Sequence, residues 1–301
     1  MEIFLLGHLV LDTVVKKGNV RKSLGGTVSF GAIAALKHQV KPKIVSKIGL
    51  DFPDEYLIFF SRNGVDISHV RISRNLPTTK FKLVYEDHGR TLYLLSRCED
   101  IILGDVPLND ISGKIAIIGS IIGEVSPSVV QEISEKAALT VSDIQGYIRK
   151  VSRDKKIYFT STPEARAIIS ISDIVHAEAI EAQVLYGNIE PKELAQKIVE
   201  DGAGIALITM GPEGAYVATK NSTIYVPPAE ADRVVDRTGA GDVFTTVFAI
   251  EYHRSGDIKE AAAYASAAAS YLIERPGLEG MRNKWEIRGR MYKVLENIKE
   301  E

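Results

Sequence analysis

From residue 114 onward, short apolar segments alternate with helical ones, and this rhythm limits the fold more than any other feature of the chain. Lys114 to Gly119, Leu139 to Asp143, Ile157 to Thr160, Ile174 to His176 and Ile205 to Thr209 read as strands. Ser126 to Lys136, Pro163 to Ile169, Ala179 to Tyr186 and Pro191 to Asp201 read as the helices between them. Strands that stay apolar along their length, separated by helices, argue for a parallel sheet covered on both faces. The first part of the chain adds strands at Glu2 to Gly7 and Lys43 to Ile48. An alanine-rich helix is expected from Ser29 to His38. An amphipathic helix from Asp54 to Asn63 closes on Gly64, a glycine placed as a C-cap. The tail, Gly241 to Glu274 and Lys284 to Glu300, reads as helical.

Two β-rich stretches, near residues 9–25 and 78–97, interrupt this pattern. Leu9 to Val15 runs into a turn at Gly18-Asn19. Thr78 to Tyr85 and Thr91 to Arg97 alternate in polarity and are joined at Asp87-His88-Gly89-Arg90, which reads as a hairpin. Together they predict a small second sheet, placed as a lid over one edge of the α/β body. No internal repeat, low-complexity segment or linker divides the chain, so residues 1–301 read as one domain with that lid.

A formal net charge of −2 gives no bulk field for nucleic acid or a membrane surface. The single cysteine, Cys98, leaves no partner for an intrachain disulfide and no cysteine-based metal cluster. Met1 to His8 lacks a basic leader and reads as a first strand. No apolar run approaches the ~18 residues of a membrane span. A cytoplasmic location is the expectation.

The chemistry concentrates in Asp236-Arg237-Thr238-Gly239-Ala240-Gly241-Asp242, which leads into an apolar helix. A turn of small residues opening a helix aims several backbone N–H groups at one point, and the helix dipole adds positive charge there. That is a seat for an anion. A carboxylate beside it suits a base that takes a proton from a hydroxyl attacking a phosphoryl group. The plainer reading is a tight turn with a capping Asp. Gly202-Ala203-Gly204 shows how little a glycine cluster means alone, since no Asp follows it.

The complete string resembles the signature of the PfkB, or ribokinase-like, family of carbohydrate kinases. The resemblance implies a ribokinase-like α/β fold, a mostly parallel sheet flanked by helices with a small β-sheet lid, and an ATP-dependent kinase that uses Mg²⁺. It makes Asp242 the catalytic base and the backbone of Gly239, Ala240 and Gly241 the anion hole. Gly25-Gly26 resembles the family's amino-terminal signature, and Asp12 matches an aspartate that binds substrate hydroxyls. Thr209, Gly211 and Gly214, with Thr238, match the segments beside the nucleotide. Ala265 and Ser266 fall where a helix packs against adenine, a run of small residues that suits close helix packing equally well. Glu181 matches a glutamate that organises Mg²⁺ through water, while Glu178 stands where an Asn is usual. Asp236 matches a position near a monovalent-cation site that varies within the family. His176 reads as a packed strand-end residue.

The acceptor is less defined. Phe30 replaces an Asn that many sugar and nucleoside kinases carry; it presents either an apolar face to a ring or ordinary core packing. The Gly25–Phe30 run, Val141 to Arg149 and Ser96 to Ile101 are similar to the myo-inositol kinase branch. By position, Asp12, Gly25, Gly26, Thr27, Ser29, Thr79, Lys82, Gln145 and Arg149 are the acceptor-binding candidates. The expected partners are a polyol or sugar and ATP, with no nucleic acid and no membrane, in a monomer or a homodimer paired through the lid. A nucleoside or ribose-type kinase is the in-class alternative, and a non-catalytic sugar-binding protein on a kinase fold is the other. A dinucleotide enzyme is excluded, because no Gly-x-Gly-x-x-Gly follows the first strand.

Overall fold

The computed structural model describes residues 1–16, 18–86 and 89–301. In chain order the strands are β1 (Glu2–Leu6), β2 (Val10–Lys16), β3 (Asn19–Gly25), β4 (Lys41–Gly49), β5 (Asp66–Ser73), β6 (Lys80–Glu86), β7 (Gly89–Ser96) and β8 (Ile115–Ile118). They continue with β9 (Leu139–Asp143), β10 (Arg149–Val151), β11 (Ile157–Phe159), β12 (Ile174–Glu178), β13 (Ile205–Thr209), β14 (Ala215–Thr219), β15 (Thr223–Val226) and β16 (Lys299–Glu300). Ten of them form one sheet in the order β16-β15-β14-β13-β12-β9-β8-β1-β4-β5. Neighbours from β13 to β5 run parallel. The other edge, β14 to β16, is antiparallel.

The side chains explain the layering. Along β1, Ile3 and Leu5 enter one apolar core while Phe4 and Leu6 enter the other, all four fully buried. The first core packs the helices Thr27–Lys37, Ala240–Ser255, Ile258–Leu272 and Arg288–Leu295. The second packs Pro127–Ser134, Pro163–Ile171, Ala179–Tyr186 and Pro191–Glu200. A strand buried on both faces has no solvated side to show, which is why β8 and β13 read as nearly continuous apolar runs, while β9 and β12 are apolar apart from a few polar residues, most of them buried. β1 lies between β4 and β8, and the chain leaves it in opposite directions. Ligands in open α/β sheets settle beyond the carboxyl ends of strands at such a reversal.

The second sheet exists as expected, in the order β3-β2-β6-β7. Its two hairpins are antiparallel, and they meet through a parallel β2–β6 pair. Val10, Phe81, Leu83, Ile121, Ile122 and Ile157 form its own small core. Of the hairpin expected at Asp87-His88-Gly89-Arg90, Asp87 and His88 lie outside the described residues.

Several elements differ from expectation. Ile157 to Thr160 is not part of the parallel sheet: β11 pairs antiparallel with β10, across a turn in which Lys155 takes φ 66°. The tail helix breaks at Gly256, whose φ of 70° ends one helix, and Asp257 caps the next by accepting from Glu260 N–H. Between 284 and 300 only Arg288–Leu295 is an α-helix, and Lys299–Glu300 joins the sheet edge. β5 was not foreseen, because an edge strand is half solvated and its sequence is correspondingly polar. Among the described residues no helix is long and apolar enough to cross a membrane.

Candidate active site

The Gly239–Asp242 turn sits at the carboxyl edge of the sheet and opens the 16-residue helix Ala240–Ser255. Gly239 is the N-cap and takes φ 81°, a left-handed conformation that costs a residue with a Cβ about 1–2 kcal/mol. A Cβ there would also overlap the ring of Phe30. Phe30 is 1% exposed, so it takes the core-packing reading and backs the turn from below. At Gly241 a Cβ would come within 3.0 Å of His176 Cε1. The turn therefore rests on two rings, one from the Thr27–Lys37 helix and one from β12. Asp236 braces it from the other side. Its Oδ1 accepts from Thr238 N–H at 3.0 Å, and its Oδ2 pairs with Arg21 of the small sheet at 2.6 Å.

Acidic groups crowd beside this turn. Burial pushes the Asp242 carboxyl up to about 6, Asp143 adds to the shift, and the Thr27 hydroxyl, His176 and Arg149 oppose it. Burial also pushes Glu181 up to about 8, again with Asp143 adding. Glu181 Oε2 accepts from Glu178 N–H at 3.0 Å, a capping box that starts the Ala179–Tyr186 helix. Asp143 is fully engaged: Oδ1 accepts from Gln145 N–H at 2.7 Å and Oδ2 faces His176 Nδ1 at 2.8 Å. Burial would lower the His176 imidazole, but the Asp143 carboxylate outweighs it and the net shift is upward.

A polar row continues from Asp242 toward the small sheet. Gln145 Nε2 donates to Thr27 Oγ1 at 3.2 Å, and Arg149 donates to Gln145 Oε1 and to Ile121 O. Arg149 Nε is buried with no hydrogen-bond partner among the described residues, an unusual state for a buried donor. Asp12 lies on β2, and its carboxylate occupies the space a Cβ on Gly25 would need. Gly26 caps the Thr27–Lys37 helix at φ 86°, pressed against His8 O. Lys82 is half-buried on β6.

Four expected contact residues lie on the expected elements with their side chains engaged inside the protein. Ser29 is fully buried and donates to Gly25 O at 2.7 Å. Thr79 is fully buried, bound to His8 Nδ1 and accepting from Cys98 N–H. Ala265 is fully buried in the core, and the Ser266 hydroxyl bridges Pro227 O and Ala229 N–H. Gly211 and Gly214 take φ 60° and 87° in the turn between β13 and β14, and a Cβ on Gly214 would strike Val226 O. Thr209 ends β13 with its hydroxyl 3.1 Å from His176 Nε2. His176 is packed in β12 as expected, and the structure adds what the sequence did not show, its contacts with Asp143 and Thr209. Its sequence signal is a polar side chain within a mostly apolar strand; in the sheet it lies level with Asp143 of β9, and its ring reaches Thr209 at the end of β13.

A carboxyl raised toward neutrality beside a glycine-rich turn that opens a helix, with a row of donors and acceptors leading to a second sheet, is the arrangement the ribokinase-like resemblance leads one to expect. Residues 4–285 match the family model for pfkB family carbohydrate kinases, and the chain belongs to that family. It is similar to a cytidine kinase of Thermococcus kodakarensis, 26% identical over 283 residues and covering 92% of this chain and 98% of that one. An inositol 3-kinase of Arabidopsis thaliana is 24% identical over 286 residues, covering 91% of this chain and 74% of the relative. The fold is shared with a pyrophosphate-dependent kinase of the ribokinase family solved as a sulfate complex. That match has a TM-score of 0.84 at 24% identity and covers 95% of this chain and 99% of the other. The protein is a phosphotransferase with a hydroxyl acceptor, a sugar or nucleoside kinase of a family that uses ATP.

Proposed function

We propose that the protein transfers the terminal phosphoryl group of ATP to a hydroxyl of a cyclic polyol, with myo-inositol as the best candidate. The observation that carries this reading is Asp242, raised to about 6, beside the Gly239-Ala240-Gly241 turn and hydrogen-bonded to Thr27 in the row that holds Gln145 and Arg149. The acceptor hydroxyl gives its proton to Asp242. Its oxygen attacks phosphorus, and the bond to the bridging oxygen breaks as the diphosphate leaves. Backbone N–H groups of the turn stabilise the charge on the transferring group. Phe30 is buried behind Gly239, so acceptor recognition falls to Asp12, Thr27, Gln145, Arg149 and Lys82. Because Asp12 and Lys82 belong to the small sheet and the others to the body, an acceptor that touches both draws the sheet down as a lid and excludes water.

The residues present fit Mg²⁺ only as a companion of the donor. Among the described residues no group of three or more His, Cys, Asp and Glu is arranged to hold a metal. Glu181 is a neutral acid near pH 7. Glu181 would help to hold the ion through water beside the donor phosphates, and the ion would supply charge neutralisation there.

Pyrophosphate as donor is a second reading. Ala265 is buried and Ser266 is committed to the backbone at 227–229, which leaves these two residues without a contact to offer adenine. The similar solved structure is described as pyrophosphate-dependent. The test is a matrix of kcat/KM values for ATP and pyrophosphate against myo-inositol, ribose and cytidine. Turnover of cytidine or ribose above that of myo-inositol sinks the polyol reading, and exclusive use of pyrophosphate replaces the donor.

A further inference from the structure

Three parallel strands end side by side at the site, β9, β12 and β13, and each contributes one polar group to a single chain of contacts. His176, from the middle strand, is 2% exposed. Its Nδ1 lies 2.8 Å from Asp143 Oδ2 and its Nε2 lies 3.1 Å from Thr209 Oγ1. The same ring forms the floor under Gly241, where a Cβ would meet Cε1 at 3.0 Å and Nε2 at 3.5 Å. The imidazole thus touches the two parts of the turn region matched to donor phosphates, Thr209 and the Gly239–Gly241 backbone.

The hydrogen-bond inventory constrains what this chain can do. Asp143 Oδ2 is an acceptor, so Nδ1 carries a proton. Nε2 then has two options. If it is bare, Thr209 must spend its one hydroxyl hydrogen on the ring, leaving lone pairs toward the cleft, which repel a phosphate. If Nε2 carries a proton, it donates to Thr209 Oγ1 and the hydroxyl hydrogen is free to point outward. The charged groups that face the ring favour the second state. They are Asp143 from β9, Glu178 at the start of the Ala179–Tyr186 helix and Asp242 from the Ala240–Ser255 helix, with Glu181 adding its charge only at the higher pH where it ionises; Arg149 is the opposing cation nearby.

We propose that His176 is a positioning residue for phosphoryl transfer: held by Asp143, it donates to Thr209, turns the Thr209 hydroxyl toward the donor's phosphate and supports the anion-hole turn at Gly241. The inference rests on the phosphotransferase reading and holds for ATP and pyrophosphate alike, since both present the same phosphate. Acceptor binding lies on the other side of Asp242, at Thr27, Gln145 and Arg149, and does not pass through His176.

The test uses His176→Gln, His176→Phe, Thr209→Val and the His176→Phe/Thr209→Val double variant. Loss of one phosphate hydrogen bond corresponds to about a tenfold rise in donor KM, with acceptor KM within about twofold of wild type. The double variant should be no worse than the worse single one, because both break the same chain. Full-length protein with ¹⁵N-labelled histidine, saturated with imidodiphosphate, should show both ring nitrogens of His176 protonated at pH 7. A purely structural histidine lowers the melting temperature and leaves donor KM unchanged, and that result overturns the proposal. So does additivity in the double variant, or a bare Nε2 with imidodiphosphate bound. If wild-type protein transfers no phosphoryl group to any acceptor, the functional reading fails, while the nitrogen spectrum and imidodiphosphate affinity still decide the role of His176.

Discussion

Replacing Asp242 with Asn should remove activity and raise stability at the same time. The carboxyl sits at about 6 in the folded protein against an ordinary value of 3.8. Its ionised form is therefore disfavoured by the fold. Protonation favours the native state, so this group costs nothing below the unfolded value, and the cost grows as pH rises through the window from 3.8 to about 6. At 1.36 kcal/mol per unit, a shift of about two units makes the cost about 3 kcal/mol above pH 6. Asn keeps the shape and carries no charge. For a chain of this length, about 3 kcal/mol corresponds to a rise in melting temperature on the order of 5 °C. The gain should be full at pH 8 and shrink toward zero near pH 4. Turnover should fall on the order of 10²–10⁴-fold, the usual loss when a general base is removed. The wild-type rate should decline below about pH 6, as the base is protonated. Thermal unfolding followed by circular dichroism at pH 8 and pH 4, with kcat measured on the same preparations, gives both readouts. A variant that turns over near the wild-type rate would falsify the base assignment. One that loses activity but gains no stability at pH 8 would refute the electrostatic account of why the base is poised there.

Glu181→Gln should raise the Mg²⁺ concentration for half-maximal rate at pH 8.5 more than at pH 6.5. The wild-type carboxyl, at about 8, is already neutral at the lower pH, so equal titrations at pH 8.5 would remove Glu181 from metal binding. Asp12→Ala should raise acceptor KM about tenfold or more through loss of a charged hydrogen bond, while donor KM holds steady in steady-state assays; a donor effect instead would displace Asp12 from the acceptor site. Gly239→Ala should cost about 2 kcal/mol or more from the left-handed φ and the Phe30 ring, and lower kcat on the order of 10²-fold. Phe30→Ala alone should cost about 3–5 kcal/mol as a core truncation, but in a double-mutant cycle followed by denaturant unfolding the Gly239→Ala/Phe30→Ala pair should lose less than the sum of the two single variants, and strict additivity would show that the ring is not the obstacle.

The sequence by itself determined the parallel sheet and the glycine turn that opens the Ala240–Ser255 helix, because both are local. Burial on two faces writes itself into β8 and β13 as nearly unbroken apolar runs and into β9 and β12 as apolar runs broken by buried polar residues, and the turn from Thr238 to Asp242 is one contiguous string. The small sheet was also legible, since two alternating stretches interrupt the helical rhythm and have only each other to pair with. What each side chain faces was decided by the tertiary structure. Ser29, Thr79, Ala265 and Ser266 occupy the expected elements but point inward, where backbone groups and His8 take their hydroxyls and the core takes Ala265. Phe30 supports Gly239 across more than two hundred residues of chain. His176 acquires its contacts only when β9 and β13 close on either side of β12. Strand pairing and helix docking set these directions over long separations, and no local window of sequence carries that information.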